Sequence, residues 1–599
     1  MIWHRRLIHT ACAAALAAAA LPATVPTPAV ADSTAANTNA PIGVKPMMGF
    51  NDWARFTCAA QARLDGTRTG YSFQQFMQDQ AAAMKATGLV AAGYTNLTVD
   101  DCWMQRTSAG YLHGAATWGG SSQPGFDYEL TGYASYLHSL GMDAGLYSTS
   151  GVNTCQGVPA GVMGHEQDDA DSLAAWGIDS LKLDNCGTTL SNRQQEFTTM
   201  AKALNTATST NPRKILFNES APAGVGPSSS TKYQTMDWVR SLGQMWRVSP
   251  DIAVWHGTNA SAWDWPHGGD YYEGGVLQNF TDTVALARYN GAGNHNDADQ
   301  LLIGDNNQLT PAEQRSQFAL WSAMGSPLVI STDVRKMAAD PSAYAPQLAI
   351  LKNSEIIAVD QDTTAGGYLA SRQGAANGSG TDVVVKPLAD GSRAVVVLNK
   401  NATAATYTLN LARAGFSNLG CARTAKNLWT HTSSTVTGSL TVTIGSHDNA
   451  MYTIAPGGCG GALPVGQIQS AQPAFQAFAF CLDAYNGATN GTTVGLYTCT
   501  GNDNQQWRRQ SNGQIASLAD PGLCVSGEST GLKLRTCAGG DPKQIWAYNR
   551  AGQLKANGLC ADISGGALNN MNAPVITYPC GDHQPNQTWS APFATPPAA

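Results

Sequence analysis

The chain has few charged residues and no concentrated run of basic ones. Of its 599 residues, 13% are Asp, Glu, Lys or Arg, and the formal net charge at pH 7 is −7. Binding to nucleic acid depends on clustered Lys and Arg that neutralise phosphates, so this composition argues against a nucleic-acid partner. A neutral polar ligand fits the sequence better.

Long apolar segments are also scarce. The one candidate lies at the start, where basic residues precede an apolar stretch at 11–21 and small residues end at Ala31. This pattern predicts a secretory signal peptide over residues 1–31 with cleavage after Ala31. The alternative is a membrane anchor, but the stretch is shorter than the ~20 residues that a span requires. We therefore expect a secreted, extracellular protein with no membrane anchor.

No Cys-x-x-Cys pair occurs among the 13 cysteines. Cys12 falls in the predicted signal peptide, which leaves an even number of cysteines in the exported chain. An even number in an exported protein indicates disulfides rather than metal or redox chemistry. The acidic segment 294–300 could suggest calcium, but it matches no EF-hand loop. The sequence therefore predicts no metal and no cofactor.

Between residues 41 and 360, short apolar runs alternate with helical patterns. Eight strand–helix units over about 310 residues are typical of a (β/α)₈ TIM barrel, which would be the catalytic domain. A doubly wound sheet is the alternative, but no Gly-x-Gly-x-x-Gly turn follows any candidate strand. The candidate strands are 44–50, 94–100, 143–148, 179–184, 214–219, 243–249, 287–293 and 326–331.

Two further domains are predicted after the barrel. Alternating apolar residues at 365–457 indicate an antiparallel β domain, and a Gly-rich linker follows at 458–466. Residues 467–591 contain three versions of one unit, each with two cysteines and a final Gln-x-Trp. A threefold repeat with a period near 40 predicts a β-trefoil whose units are each closed by a disulfide. The expected pairs are Cys481–Cys499, Cys524–Cys537 and Cys560–Cys580.

Polar side chains follow the predicted barrel strands, at the end of a barrel where active sites lie. Five carboxylates, one Lys and one Arg at one rim are too much charge for a fold to carry without use. Two opposed carboxylates with aromatic walls and a few polar side chains are the equipment of a glycosidase. The candidate residues are Trp53, Asp100, Asp101, Tyr147, Lys182, Asp184, Arg247, Asp251 and Asp299.

Six motifs in this region resemble glycoside hydrolase family 27, which contains retaining α-galactosidases and α-N-acetylgalactosaminidases. The resemblance covers about residues 41–455, and the motifs occur in the family's order. They are MGFNDWARFTC (48–58), VDDCWM (99–104), GLYS (145–148), SLKLDNC (180–186), WRVSPDI (246–252) and GNHNDADQLLIGD (293–305).

The resemblance implies a role for each rim residue. Asp184 is similar to the family's nucleophile, and Asp251 is similar to its general acid/base, which must begin the reaction protonated. Lys182 stands two residues before Asp184 on the same strand face, so we expect its charge to keep Asp184 ionised. By the same resemblance, Asp100 and Asp101 bind O4 and O6 of the sugar, Lys182 binds O3 and O4, Trp53 and Tyr147 form pocket walls, and Arg247 and Asp299 lie near O2.

The family also suggests two barrel disulfides and a specificity loop. Cys58–Cys102 and Cys155–Cys186 match family pairs, and Cys421–Cys459 remains as the sixth bridge. Ser220 and Ala223 stand where α-N-acetylgalactosaminidases carry small residues that make room for an acetamide. α-Galactosidase activity remains the first expectation. Within the family, α-N-acetylgalactosaminidase, β-L-arabinopyranosidase and isomalto-dextranase activities stay open.

The repeats at the C-terminal end resemble the ricin B-type lectin fold, carbohydrate-binding module family 13. The resemblance predicts sugar sites in the first and third repeats, and an inactive second repeat in which Ser526 and Arg535 replace the binding residues. Such a module would direct the enzyme to a polysaccharide, although a trefoil kept only for folding is the alternative. A non-catalytic lectin is the competing class for the whole chain. The predicted sugar-binding residues are Asp483, Tyr497, Asn504, Asp562, Tyr578 and Asn586.

Overall fold

A computed structural model describes three consecutive folded regions. The predicted signal peptide and Cys459 lie outside the described residues. Among the residues that are described, no helix is both long and apolar enough to cross a bilayer. The described residues are 42–59, 72–119, 130–211, 213–225, 230–253, 262–264, 273–305, 308–458, 460–470, 480–549, 551–566, 572–582 and 584–593.

The first region is built on eight parallel strands. Their order is β10-β1-β2-β5-β6-β7-β8-β9, and a parallel bridge between Leu301 and Ile330 joins the two ends of the sheet. A short hairpin, β3–β4, follows β2. The strands are β1 Met48–Asn51, β2 Asn96–Val99, β3 Met104–Arg106, β4 Leu112–Gly114, β5 Asp143–Thr149, β6 Ser180–Asp184, β7 Leu216–Glu219, β8 Met245–Arg247, β9 His295–Asp297 and β10 Leu328–Ile330.

Helices follow the barrel strands and bury apolar faces against them, as the alternation of patterns predicts. The prediction of a strand at 287–293 is wrong, because Ala287–Tyr289 forms a 3₁₀ helix and the barrel strand is His295–Asp297. Between them the chain turns at Gly293, whose φ of +73° interrupts any extended run. The helices are α1 Trp53–Phe56, α2 Phe73–Ala86, α3 Ala116–Gly119, α4 Thr131–Ser139, α5 Glu166–Trp176, α6 Leu190–Ala207, α7 Ser230–Val239, α8 Gly275–Val284, α9 Pro311–Met324, α10 Val334–Ala339, α11 Ala345–Leu351 and α12 Ser354–Asp360.

The second region is an antiparallel β domain. Six strands form a sheet in the order β11-β12-β13-β18-β15-β16, and β14 pairs with β17. Alternate valines of β12 and β13 enter the core of this domain, as period-2 patterning predicts. The strands are β11 Tyr368–Gly374, β12 Gly380–Pro387, β13 Arg393–Asn399, β14 Ala405–Asn410, β15 Arg423–Asn427, β16 Ser433–Val436, β17 Ser439–Ile444 and β18 Asn449–Ile454.

The third region consists of short antiparallel strands in three related units. Its strands are β19 Val465–Gly466, β20 Gln469–Ser470, β21 Phe480–Ala484, β22 Thr493–Thr498, β23 Trp507–Arg509, β24 Ile515–Ser517, β25 Leu523–Glu528, β26 Gly531–Thr536, β27 Ala547–Tyr548, β28 Leu554–Ala556, β29 Leu559–Ile563, β30 Val575–Pro579 and β31 Trp589–Ser590.

The repeated Gln-x-Trp has the same structural role in each unit. The indole N–H groups of Trp507, Trp546 and Trp589 donate to the carbonyl after the unit's first cysteine, at 2.9, 2.9 and 3.0 Å. Each Gln side chain accepts a backbone N–H just after the second cysteine, at 2.7 to 2.8 Å. The repeat therefore holds each unit closed from inside, beside its disulfide.

Five of the six expected disulfides join described cysteines. Cys58–Cys102 and Cys155–Cys186 lie in the barrel region, and the other three each close one trefoil unit. Cys421 is also disulfide-bonded, while its expected partner Cys459 lies outside the described residues.

The third region packs against the first two. The Arg413 guanidinium of the β domain pairs with Asp503 of the trefoil at 2.8 Å. The Ser590 hydroxyl donates to the Ala285 carbonyl of the barrel at 2.8 Å. Arg288 of the barrel is half-buried and lies over the trefoil's Tyr548, with its guanidinium carbon 5.5 Å from the ring centroid.

Candidate active site

The sequence-predicted rim residues collect at the carboxyl ends of the barrel strands. Asp100 and Asp101 follow β2, Lys182 and Asp184 lie on β6, and Arg247 ends β8. Because the strands are parallel, these ends meet at one face of the barrel. Asn51, Lys182, Arg247, Asp299 and Gln300 share the lining of one cavity of about 20 Å³, room for a single water molecule.

The direct partner of Lys182 is Asp100, not Asp184. The Lys182 ammonium donates to Asp100 Oδ2 at 2.6 Å and stands 5.4 Å from the centroid of the Tyr147 ring. Burial disfavours its charge, but the carboxylates of Asp100 and Asp184 outweigh burial and raise the pKa of Lys182. The direct contact of Lys182 is therefore with the residue after β2, the second strand along the sheet from β6. Its charge still favours the ionised form of Asp184, as expected, and acts through space.

Asp184 lies at the end of β6 in a water-poor setting. Burial raises the pKa of its carboxyl, the charge of Lys182 opposes that rise, and the charge of Asp251 adds to it. The Asn185 N–H donates to Asp184 Oδ1 at 2.8 Å and supports the ionised form. The sulfurs of Cys155 and Cys186 lie within 4.8 Å of a carboxyl oxygen of Asp184. Because these sulfurs are bonded to each other, they are not thiolate ligands for a metal.

Arg247 connects the predicted acid/base to the rest of the rim. One guanidinium nitrogen lies 3.1 Å from Asp251 Oδ1, and the other lies 3.1 Å from Asp299 Oδ1. The first nitrogen also donates to the Pro250 carbonyl at 2.9 Å, which fixes the turn before Asp251. Arg247 is buried, whereas 38% of the Asp251 side chain is exposed. Asp251 is therefore held by Arg247 on its buried side and is open to solvent at the mouth of the barrel.

Asp299 supports the Asp251 segment more directly than the sequence indicates. Its Oδ2 accepts the N–H of Ile252 at 2.7 Å, so one carboxylate links Arg247 to the chain beside Asp251. The Asp299 backbone has φ of +77°, a left-handed conformation that is uncommon outside Gly. Burial raises the pKa of Asp299 to about 6, against the opposing charge of Arg247.

Asp100 and Asp101 are both buried at the end of β2. Asp100 Oδ2 accepts from Asn51 Nδ2 at 2.7 Å in addition to Lys182. The Asp101 carboxylate accepts the N–H groups of Cys102 at 2.6 Å and Gln156 at 3.0 Å. Burial is the largest influence on Asp101 and raises its pKa to about 6. Both disulfide-bearing loops therefore converge on this carboxylate.

The two predicted aromatic walls differ in exposure. Tyr147 is 1% exposed, whereas Trp53 is half-buried. Trp53 follows β1, and its backbone N–H donates to Asn51 Oδ1 at 2.8 Å. An aromatic ring that is still partly exposed can stack on a sugar, whereas a fully buried one shapes the pocket from behind.

Ser220 and Ala223 lie in the loop after β7. Ser220 is buried, and its hydroxyl has no hydrogen-bond partner within the described part of the chain. Ala223 is half-buried, and its N–H donates to the Ser220 carbonyl at 3.0 Å. Most of the aromatic segment 254–275 lies outside the described residues.

Sequence reasoning missed the residues that support the rim from behind. Asn51, the donor to Asp100, accepts a hydrogen bond through its Oδ1 from Gln300 Nε2 at 2.6 Å. It belongs to the motif at 48–58, in which only Trp53 was predicted to be a site residue. Asp52 Oδ1 accepts the Asp100 N–H at 2.8 Å, and burial raises the pKa of Asp52 to about 8. A buried acid immediately before the predicted wall Trp53 was the available signal.

The first and third trefoil units hold their predicted sugar-binding acids in matching ways. Asn504 and Gln505 side-chain amides donate to the two oxygens of Asp483 at 3.0 and 2.7 Å. In the third unit Asn586 and Gln587 donate to Asp562 Oδ2 at 2.9 and 2.8 Å. The exposed fractions of Tyr497 and Tyr578 are 37% and 56%, so both rings are open to a ligand.

In the second unit, an internal ion pair takes the place of the sugar-binding residues. Arg535, at the position of those tyrosines, forms a two-point contact with Glu528 at 2.5 and 2.9 Å. Ser526, at the position of the acids, is buried. The pocket therefore lacks both the carboxylate and the aromatic ring of its counterparts.

Comparisons with known proteins agree with this organisation. Residues 45–362 match the family model described as Alpha galactosidase A. Residues 378–454 match an Alpha galactosidase C-terminal beta sandwich domain, and residues 466–589 match a Ricin-type beta-trefoil lectin domain.

Individual relatives span most of the chain. Alpha-galactosidase A of Aspergillus niger is 33% identical over 523 residues, covering 85% of this chain and 86% of that protein. The alpha-galactosidase of Oryza sativa subsp. japonica is 30% identical over 417 residues, covering 69% of this chain and 86% of its own. The crystal structure of alpha-galactosidase I from Mortierella vinacea has a TM-score of 0.57 and 24% identity over 69% of this chain and 98% of its own, a likeness of fold. The chain therefore belongs to the α-galactosidase family of glycoside hydrolases, family 27, with a ricin-type β-trefoil lectin domain at its C-terminal end.

Proposed function

We propose that the protein is a retaining exo-glycosidase that releases terminal α-linked D-galactose from oligo- and polysaccharides. The observation that carries this proposal is the pair Asp184 and Asp251 at one barrel rim, where Asp184 ends β6 and Asp251 is paired with Arg247 at the end of β8. Arg247 and Lys182 bring positive charge to the same place. A retaining mechanism needs two such carboxyls across one sugar, about 5–5.5 Å apart.

In the first step Asp184 attacks the anomeric carbon. The bond to the leaving oxygen breaks as that oxygen takes the proton of Asp251, and a glycosyl ester forms on Asp184. The positive charge of Lys182 opposes burial at Asp184 and favours the ionised form that attacks. The Asn185 N–H steadies the oxygen that carries the charge.

In the second step water replaces the leaving group. Asp251, now ionised, takes a proton from water, whose oxygen attacks the anomeric carbon and releases Asp184. Two inversions at one carbon restore the original configuration. The partial exposure of Asp251 gives water access to it, while Arg247 and Asp299 hold its segment in place.

The remaining rim residues bind the sugar hydroxyls. Asp100 and Lys182 form one charged pair, and we assign it O4 with the neighbouring O3, while Asp101 and Asp100 reach O6. Arg247 and Asp299 lie on the O2 side. Trp53 stacks on the ring, and Tyr147 backs the pocket.

A second candidate activity is α-N-acetylgalactosaminidase. The observation that favours it is the small size of Ser220 and Ala223, together with a Ser220 hydroxyl that has no hydrogen-bond partner among the described residues. These features would leave room and a hydrogen-bonding group for an acetamide. β-L-Arabinopyranosidase and isomalto-dextranase activities are tested in the same assay.

We assign carbohydrate binding to the trefoil units that keep Asp, Asn and an open Tyr. Two such sites on one module raise the local concentration of enzyme on a polysaccharide. Disulfides in all three regions support an oxidising, extracellular location, and the sequence before the barrel supports export.

Initial rates on aryl glycosides test this function. The substrates are an α-galactoside, an α-N-acetylgalactosaminide and a β-L-arabinopyranoside, with dextran as the polymer. Rapid cleavage of the α-galactoside that is lost in Asp184→Asn would support the proposal, and preference for the N-acetyl sugar would replace it with the second candidate. No turnover of any substrate would favour a non-catalytic lectin.

A further inference from the structure

Three consecutive carbonyls in the loop after β7 each accept a hydrogen bond from a different side chain. The three donors come from separate places, namely the turn after β6, helix α6 and helix α7. The contacts are Asn185 Nδ2 to the Ser220 carbonyl at 2.7 Å, Arg193 Nη1 to the Ala221 carbonyl at 3.0 Å, and Lys232 Nζ to the Pro222 carbonyl at 2.6 Å.

These donors are placed at some energetic cost. Arg193 is 6% exposed and Lys232 is 1% exposed, so each gives up water around a charged group. Loops usually satisfy their carbonyls with water or with their own backbone. Two buried basic side chains directed at successive peptide groups indicate that the exact position of this loop matters.

The same donors also contact the segments that carry the two carboxylates. Asn185 follows Asp184 and donates its backbone N–H to that carboxylate at 2.8 Å. Lys232 Nζ donates a second hydrogen bond to the carbonyl of Val248, in the segment that leads from β8 to Asp251. One set of side chains thus ties the loop to both halves of the catalytic pair.

We infer that Asn185, Arg193 and Lys232 are positioning residues that fix the 220–222 loop against the Asp184 and Asp251 segments, and thereby set which group is accepted at C2 of the sugar. This inference rests on the proposed function, because it takes the loop to face C2. Ser220 and Ala223 supply the surface of the pocket, and the three donors determine how far that surface stands from the sugar.

Removing a donor should loosen the loop without removing any group that touches the substrate. A pocket wall that moves discriminates less between a hydroxyl and an acetamide, since discrimination by size depends on fixed walls. The backbone bond from the Ser220 N–H to the Leu183 carbonyl at 2.9 Å would remain. The fold should therefore survive while the loop gains freedom.

The test uses the full-length protein with three variants. Lys232→Met keeps the unbranched side chain, one atom shorter, and removes the N–H donors. Arg193→Lys keeps the charge with one donor group, and Lys202→Met on the exposed face of α6 is the matched control. Values of kcat and KM are measured on the α-galactoside and the α-N-acetylgalactosaminide. Amide hydrogen exchange is followed on peptides that span 216–225.

We expect Lys232→Met to bring the ratio of kcat/KM for the two substrates about tenfold closer to one, mainly through KM, with faster exchange in 216–225. Arg193→Lys should show a smaller change in the same direction, and Lys202→Met should show none. An equal loss of kcat/KM on both substrates with unchanged amide exchange would overturn the inference, because Lys232 would then only stabilise the fold.

The exchange measurement separates this inference from the proposed function. If the wild-type protein cleaves neither sugar, the proposed function fails. The role of the three positioning residues is then tested by amide hydrogen exchange in the loop alone. Faster exchange in Lys232→Met supports that role, and unchanged exchange overturns it.

Discussion

The barrel rim and the trefoil pockets are built from different chemical groups, although we assign sugar binding to both. At the rim, Asp100 and Asp299 are buried beside cations and Asp184 is half-buried, and direct ion pairs of 2.6 and 3.1 Å join Lys182 to Asp100 and Arg247 to Asp299. In the trefoil, single acids such as Asp483 are held by neutral amides of Asn and Gln.

The difference matches two physical tasks. A catalytic site must stabilise charge that appears only in the transition state, so it holds fixed charges where water is excluded. A binding pocket meets the same neutral sugar before and after binding, so amides, one carboxylate and an aromatic ring are sufficient. Charge-altering substitutions should therefore have large effects at the rim and moderate ones in the trefoil.

The largest effect is expected for Asp184→Asn. The amide keeps the shape of the side chain but cannot form the glycosyl ester, so kcat on the aryl α-galactoside should fall by about 10⁴-fold or more. Binding of polysaccharide through the trefoil should not change. Residual activity above about one per cent would contradict the role of Asp184.

A large effect is also expected for Lys182→Met. It leaves the Asp100 carboxylate buried with Asn51 as its one side-chain donor among the described residues, and breaking a buried pair costs about 3–5 kcal/mol in stability. Lys336→Met is the matched control, because Lys336 is 52% exposed in its pair with Asp305 and should cost at most about 1 kcal/mol. Chemical denaturation compares the two variants. An equal loss of unfolding free energy would mean that the buried rim pair stabilises the fold no more than an exposed pair does.

A moderate effect is expected in the trefoil. Asp483→Asn and Asp562→Asn should each weaken binding to an insoluble polysaccharide several-fold, and the double variant should lose the gain from two sites, about 10²-fold. Turnover of the small aryl substrate should stay the same. Ser526→Ala in the second unit is the control and should bind as the wild type does; weaker binding there would show that the second unit is active.

The smallest effect on cleavage and binding of sugar is expected for Glu219, a titratable residue at the end of β7 that serves neither sugar region. Both of its oxygens lack hydrogen-bond partners among the described residues, and burial raises its pKa well above the ordinary value. The folded state therefore holds this proton more tightly than the unfolded state. Its contribution to stability is complete below the unfolded pKa of about 4.3 and is lost as pH rises towards the folded pKa.

Glu219→Gln removes that dependence on pH. The wild-type protein should lose up to about 1.4 kcal/mol for each pH unit in this window, and the variant should lose less. Thermal unfolding at pH 5 and pH 8 measures the difference. A variant whose stability falls with pH as steeply as the wild type would show that Glu219 ionises without penalty.

The sequence was sufficient for the features that repeat or alternate. The strand period predicted the barrel, and paired cysteines with Gln-x-Trp predicted the trefoil, because each pattern reports a contact within a short stretch of chain. The error at 287–293 arose where two glycines break an apolar run and the strand begins only at His295.

Contacts between distant segments could not be predicted in the same way. Lys182 and Asp184 share one strand face, yet Lys182 pairs with Asp100 at the end of β2, 82 residues away and two strands along the sheet. Lys232 reaches two loops at once, and nothing in its own helix indicates that. Which donor reaches an acceptor first depends on how the strand ends are arranged around the barrel.

The most direct test of the central claim is to trap the covalent intermediate. The enzyme is incubated with a 2-deoxy-2-fluoro-galactosyl substrate bearing a good leaving group, and the labelled peptide is located by mass spectrometry. We predict one added sugar on the peptide that contains Asp184, with none in Asp184→Asn. A label on the Asp251 peptide, or product of inverted configuration with no label, would contradict the assignment of Asp184 as the nucleophile of a retaining enzyme.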